Sequence, residues 1–380
     1  MRPAVTGVRN PVLFLLVAVG TAGIGLLGFV TVSPNRLLSG RPLALWHAAD
    51  PILMSVVAIL ALSLLALSLV RKSRSIHQVA LTLAGVLALV FPFAAGRIGA
   101  AQATVDALAR IAPAGGFWIA EFCATMIIVD ALQRLAATPF WRAVTAAAVL
   151  AGFAALAGGG QFDSLSLAQE FHSHRDAFAA ELGHHVTLVL GSVVPALIVG
   201  IPLGIAALRR QRLRDPLFAT LNLLQTIPSI ALFALLIAPL TLLGLHGIGA
   251  TPALIALTLY ALLPIVRYTY TGLETVDASV IDSARAMGMT RGQLFRRVEV
   301  PLALPTLISG LRIVTVQGIG LAVVAALIGA GGLGAFIFQG IGQGAIDLVL
   351  LGAIPTIGLA LAAEFALRVI ADLLQRRVTR

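Results

Sequence analysis

Apolar residues in this chain come in long runs broken by short polar stretches. Ten runs stand out: Pro11–Val32, Pro51–Val70, Gln78–Gly96, Gly116–Leu132, Ala143–Gly159, Val186–Leu208, Leu217–Gly244, Thr251–Tyr270, Pro305–Gly329 and Ala345–Ile370. A helix needs about 20 mainly apolar residues to cross the hydrocarbon core of a bilayer. The pattern therefore predicts an all-α, polytopic membrane protein of about ten transmembrane helices. Gly116–Leu132 is the weakest of the ten, being short and carrying Glu121 and Asp130. Pro11–Val32 follows Arg2 and Arg9 as a secretory leader would. It is too long for a leader's apolar region and lacks a clear small-x-small site after it, so it is read as the first spanning helix.

Composition agrees with that reading. Of the 380 residues, 59% are hydrophobic and 11% charged, against about 25% charged in soluble domains. The net charge of +10 does not suggest a nucleic-acid binder, because the cations sit in short loops instead of forming a stripe. Suppose that the N-terminus is cytoplasmic and that every run spans. Twenty of the 26 cations then lie in inner loops, chiefly Arg71–Arg74, Arg209–Arg214 and Arg267–Arg297. Arg36, Arg41, Arg97, Arg110 and Arg175 lie outside, and Arg312 lies within a helix. Such a bias follows the positive-inside rule and places both termini in the cytoplasm.

The chain divides into an N-terminal block of five helices (1–160), an external polar linker (161–185) and a C-terminal block of five helices (186–380). The linker holds His172, His174, His184 and His185, and neither pair has the i, i+4 spacing that presents two imidazoles on one helical face, so a solvated linker is expected there. The single cysteine, Cys123, forms no intrachain disulfide and is read as a small buried apolar residue.

The most informative stretch, Glu274–Arg312, lies between two spanning segments on the arginine-rich side. Asp277–Met287 reads as a short amphipathic helix with Val280, Ala284 and Met287 on one face. Gly288 ends it, a second short helix follows over Arg291–Val298, and Pro301 and Pro305 are expected to break the chain. Such a helix–glycine–helix knob, edged by Arg291, Arg296 and Arg297, suits a groove in a soluble partner. Asp282-Ser283-Ala284, then three residues, Gly288, nine residues and Val298-Glu299-Val300-Pro301 resemble the EAA loop of ABC importer permeases in spacing. Asp stands for the family's Glu, Ser for Ala, and Val twice for Ile and Leu. Further resemblance over about His184–Arg380 is to the glycine betaine, carnitine and choline branch, including its longer, YehY-type members. It implies a type I (MetI-like) permease core from 186 on, with a cytoplasmic coupling loop at 274–304 in which Asp282, Ser283, Ala284, Gly288, Arg291, Arg296, Arg297 and Pro301 meet an ATPase.

The same resemblance implies a multi-pass inner-membrane transport subunit that is not itself an enzyme. Its partners would be cytoplasmic ABC ATPase subunits, an external solute-binding protein and a second permease copy or related permease. No cofactor is expected on this chain: it lacks the GxxxxGK[ST] phosphate loop, and ATP and Mg would sit on the ATPase. Gly329, Gly331, Gly332 and Gly334 match GxGxxG but follow a spanning segment, with no strand, and are read as an outer turn or gate. Asn222, Gln225, Thr226, Ser229 and Gln317 interrupt apolar segments and are candidates for the substrate path. Glu121 and Asp130 point to opposite sides of one helix, as interhelical hydrogen-bonding groups more than as a proton relay. Glu364 and Arg368 are spaced to pair with each other. Two other readings stay open, an ion-coupled secondary transporter and a non-transporting sensor that keeps the coupling loop.

Overall fold

A computed structural model describes residues 8–35, 40–71, 73–106 and 109–378, with the side chains of 375–378 left aside. Arg2, Arg36, Lys72 and Arg380 lie outside the described residues. The chain forms two compact units, Met1–Ser173 and His174–Arg380.

In the first unit, α1 (Pro11–Leu27) leads into a strand, β1 (Val30–Ser33). Then come β2 (Arg41–Leu43), the single turn α2 (Leu45–Ala48), α3 (Pro51–Leu69) and α4 (Arg74–Val105). The unit closes with β3 (Arg110–Pro113), α5 (Gly115–Arg134), α6 (Pro139–Gly158) and α7 (Ser166–Ser173). The strands form a small antiparallel sheet in the order β2-β1-β3, an element that the run-by-run reading did not foresee. It occupies the end of the first apolar run, where Gly28, at φ +73°, turns the chain out of α1. Phe29 is fully buried there, with its ring centroid 5.6 Å from that of Phe117 and 6.1 Å from that of Phe91. α1 packs along α5 through small residues. A Cβ on Gly116 would lie 2.2 Å from the Gly28 carbonyl oxygen, and one on Gly20 would touch Cys123. Asp130 pairs with Arg134 of its own helix at 2.7 Å, so it is not the interhelical group expected of it.

The second unit is built on α8 (Arg175–Arg209), α9 (Gln211–Thr226), α10 (Ser229–Leu242) and α11 (Ala250–Glu274). α12 (Ala278–Ala286) and α13 (Arg291–Leu294) follow, then a π-helical turn over Phe295–Glu299 and α14 (Val300–Ala325). α15 (Gly334–Gln343) and α16 (Ile346–Val378) complete it. α11 is the central element, packed against both α8 and α14, which also touch each other, and α16 packs on α14. Gly200 and Gly204 let α8 approach α11 closely, since a Cβ at either would lie within 3 Å of Ile265 or Thr269.

Each of the ten predicted runs coincides with a helix or a bent helix pair. Among the described residues, eight helices are long and apolar enough to cross a membrane, and α1 is shorter. Three expectations need correction. Leu217–Gly244 is not one rod: α9 and α10 meet at 102°. Pro301 and Pro305 do not break the chain, because a helix runs from Arg291 to Ile328. The π turn widens the helix just before Pro301, with the Val300 N–H reaching back to the Phe295 carbonyl, so the missing proline N–H and the ring are absorbed. The stretch read as a polar linker is largely helical, and His185 within it is fully buried.

Packing at Gly116 gives a direct test. Gly116→Ala should lower the thermal unfolding midpoint of the purified protein, since forcing atoms into a closed contact costs about 1–3 kcal/mol. Gly85→Ala, in a helical position with nothing within 4 Å, should leave the midpoint unchanged or raise it. Equal effects would contradict the close approach of α1 and α5.

Candidate coupling site and translocation path

The segment between α11 and α14 is shaped by its own capping chemistry. Asp277 caps α12, its carboxylate accepting the Ser279 N–H at 2.8 Å, and that bond holds the carboxyl below its usual range. α12 ends on Gly288 at φ +81°, where Gly288 N–H donates to Arg285 O at 2.9 Å and Met289 N–H to Ala284 O at 3.2 Å. These are the two bonds of a Schellman cap, and a side chain at that φ would cost about 1–2 kcal/mol. Thr290 and Gln293 exchange side chain-to-backbone bonds and start α13.

α12 folds back against α13 and the π turn. Ala284 is the residue buried by that contact, as is Leu294 from α13. The expected apolar face is therefore split, because Val280 is 41% and Met287 71% exposed. Asp282 and Arg285 pair at 3.3 Å on the exposed side, beside an exposed Ser283. Arg291, Arg296 and Arg297 are exposed too, and Pro301 sits half-buried in the first turn of α14. The surface is an exposed apolar pair, Val280 and Met287, beside charged residues on a capped short helix.

A link from this knob to the membrane helices is not visible in the motif. Arg209, at the end of α8, lies over the Phe295 ring at 5.2 Å and reaches Glu299 at 3.6 Å. The π turn thus grips α8 as well as α14. At the same end, Arg214 of α9 donates to the Tyr270 hydroxyl, which donates to Glu274 at 2.6 Å.

The candidate path residues surround the break between α9 and α10. Ile227 is extended before Pro228, as a residue preceding proline prefers, and the kink frees backbone groups. Tyr260 of α11 meets that need: its hydroxyl donates to the Ile227 carbonyl, while Gln225 Nε2 donates to the Tyr260 carbonyl at 2.8 Å. Asn222 accepts from Arg267 at 3.2 Å. Gln225 and Gln317 line one cleft of about 390 Å³ with Arg267 and Tyr268. Thr226 bonds back to Leu223 O in its own helix and Ser229 begins α10, and neither lines that cleft.

At the other end of the unit, the predicted glycine turn is held by side chains. Gly329, Gly331 and Gly332 have positive φ, and Gly334 begins α15 so close to α14 that a Cβ would lie 2.1 Å from Val323 O. Glu181 of α8 accepts the Gly332 N–H, and His185 Nε2 donates to Ile319 O at 3.1 Å. Glu181 and His185 carry no motif that the sequence could have flagged.

Residues 8–168 match the family described as the N-terminal domain of the ABC transporter permease YehY. Residues 196–380 match the binding-protein-dependent transport system inner membrane component. The osmoprotectant import permease protein OsmW of Salmonella typhimurium is 43% identical over 183 residues, which are 48% of this chain and 85% of that protein. The chain belongs to the binding-protein-dependent ABC transport permeases. Another permease similar to it is the glycine betaine/carnitine/choline transport system permease protein OpuCD of Bacillus subtilis, 40% identical over 49% of this chain and 80% of that protein. A solved structure titled as inward-facing conformations of the MetNI methionine ABC transporter aligns at 24% identity and a TM-score of 0.47, over 52% of this chain and 95% of that one. As a permease, the chain is a multi-pass inner-membrane subunit of an ABC importer and is not the catalytic subunit. Permeases of this kind work with an ATPase and a solute-binding protein.

Tyr260 is the side chain that pairs the Ile227 carbonyl at the bend. Tyr260→Phe should cost about 1–3 kcal/mol, the price of a carbonyl left unpaired. It should also speed amide exchange around 227–232 relative to α11. Unchanged exchange there would show that the kink is held by other contacts.

Proposed function

We propose that this permease moves a small osmoprotectant, glycine betaine or a related quaternary amine, into the cytoplasm, driven by ATP hydrolysis on separate ATPase subunits. Relatives at about 40% identity are named for osmoprotectant, carnitine, choline and glycine betaine transport, which supports the substrate class. The observation that carries the mechanism is the knob Asp277–Glu299: an exposed Met287 and Val280 on a capped helix, tied through Phe295 and Glu299 to Arg209 of α8. A docked partner that shifts α12 would pull on α8 and α14 together. That is the kind of bistable connection alternating access requires.

In this reading Asp282, Ser283, Ala284, Gly288 and the arginines transmit the ATPase's nucleotide state. Ala284 does so by packing the helix and Gly288 by shaping it, while Met287 and Val280 supply the apolar contact. ATP and Mg reside on the ATPase. Gln225 and Gln317 face the translocation path, and the Gly329–Gly334 turn, clasped by Glu181, forms the outer gate. A second permease copy or a related permease completes the pore.

Proteoliposomes holding the permease, its ATPase and its binding protein test this by uptake of labelled glycine betaine. Wild type should take it up only with ATP on the ATPase side. Gly288→Pro, whose ring fixes φ near −65° where +81° is required, should abolish uptake in a folded complex. Uptake without ATP would overturn the reading in favour of an ion-coupled carrier.

A further inference from the structure

The geometry points to a zwitterion-binding site within the permease itself, at the Arg312–Glu364 ion pair, and this inference rests on the substrate class proposed above. Arg312 lies in the middle of α14 and Glu364 in the middle of α16, and they meet at 3.2 Å. The expected partner for Glu364, Arg368 one turn on, is passed over for this contact between helices. Charges inside spanning helices are rare and functional by default. The two side chains are 32% and 42% exposed, and they open onto a cleft of about 730 Å³.

The other walls of the cleft add one further charge of each sign, Arg368 and Asp372, beside polar and aromatic groups. Thr306 and Ser309 add hydroxyls, and Tyr268 supplies an aromatic ring, fixed by Gly310, where a Cβ would lie 2.5 Å from Tyr268 Cβ. Tyr268 also lines the cleft that holds Gln225, Arg267 and Gln317, so one ring borders both cavities. A carboxylate matches Arg312 in a forked geometry. A quaternary ammonium cannot donate hydrogen bonds, and it is held by a negative charge and an aromatic face, which Glu364 and Tyr268 offer. A ligand carrying both charges exchanges the internal ion pair for two external ones, so neither Arg312 nor Glu364 is left uncompensated in the membrane.

The test uses the complete importer in proteoliposomes with a Ser309→Cys permease. The native Cys123 is buried, so the introduced thiol is the reactive one. Glycine betaine should slow labelling by a small aqueous thiol reagent about threefold at twice its dissociation constant, while sucrose of equal osmolarity should not. Adding Arg312→Gln should remove the protection. Because that change leaves Glu364 without its counter-charge, the neutral pair Arg312→Gln/Glu364→Gln is measured beside it and should fold yet stay unprotected. Labelling unaffected by glycine betaine, in a preparation that takes it up, would overturn the site and leave the substrate reading intact. Protection that survives the neutral pair would overturn it equally. A wild type that takes up no glycine betaine would remove the substrate class and this site with it.

Discussion

Hydrocarbon offers no hydrogen bonds, so every backbone group that leaves a regular helix inside a bilayer must find a partner within the protein. Three of the C-terminal unit's departures from regular helix have an identifiable answer. At the α9–α10 bend, Tyr260 of α11 donates to the Ile227 carbonyl and Gln225 donates to the Tyr260 carbonyl. At the glycine turn, Glu181 receives the Gly332 N–H. At the entry to α14, a π turn closes its own wider ring ahead of Pro301. The proposed path, outer gate and coupling joint fall at the same three positions. A backbone that needs a side chain to hold it can take a second arrangement when that side chain moves.

The coupling joint shows how a surface event could reach the membrane. α12 is too short to be a stable helix alone. Its cap at Asp277, its Schellman ending at Gly288 and the burial of Ala284 make it a fixed protrusion instead. The π turn behind it carries Phe295 and Glu299, both engaged by Arg209. In the proposed mechanism, force on α12 reaches α8 through one cation and α14 through a continuous backbone. Gly200 and Gly204 keep α8 closely packed on α11, which extends that connection to the helix bearing Tyr260 and Tyr268.

Much of this was legible in the sequence. Apolar runs located the helices because lipid rewards long uninterrupted runs, and even the doubtful Gly116–Leu132 emerged as α5. Spacing around Gly288 located the knob because only a left-handed glycine ends α12 in that way. Other features depend on distant partners and leave no local pattern. Pro301 and Pro305 look like breakers, yet a π turn several residues upstream accommodates them. Glu364 has Arg368 at ideal spacing, yet it reaches Arg312 on another helix. Tyr260 reads as one of three aromatic residues in a run, and only the fold shows it holding the α9–α10 bend. The small sheet of the N-terminal unit was hidden because its strands are three and four residues long, and β3 lies far from the other two in sequence.

The central claim is that Met287 sits in the interface with the ATPase. In the assembled importer, a Met287→Cys permease, with Cys123 buried, presents one reactive thiol at the tip of the knob. A short bifunctional thiol-to-amine reagent should join the permease to the ATPase, with a yield that changes when ATP is bound. A thiol that labels as fast in the complex as in the isolated permease, and joins to nothing, would contradict the account.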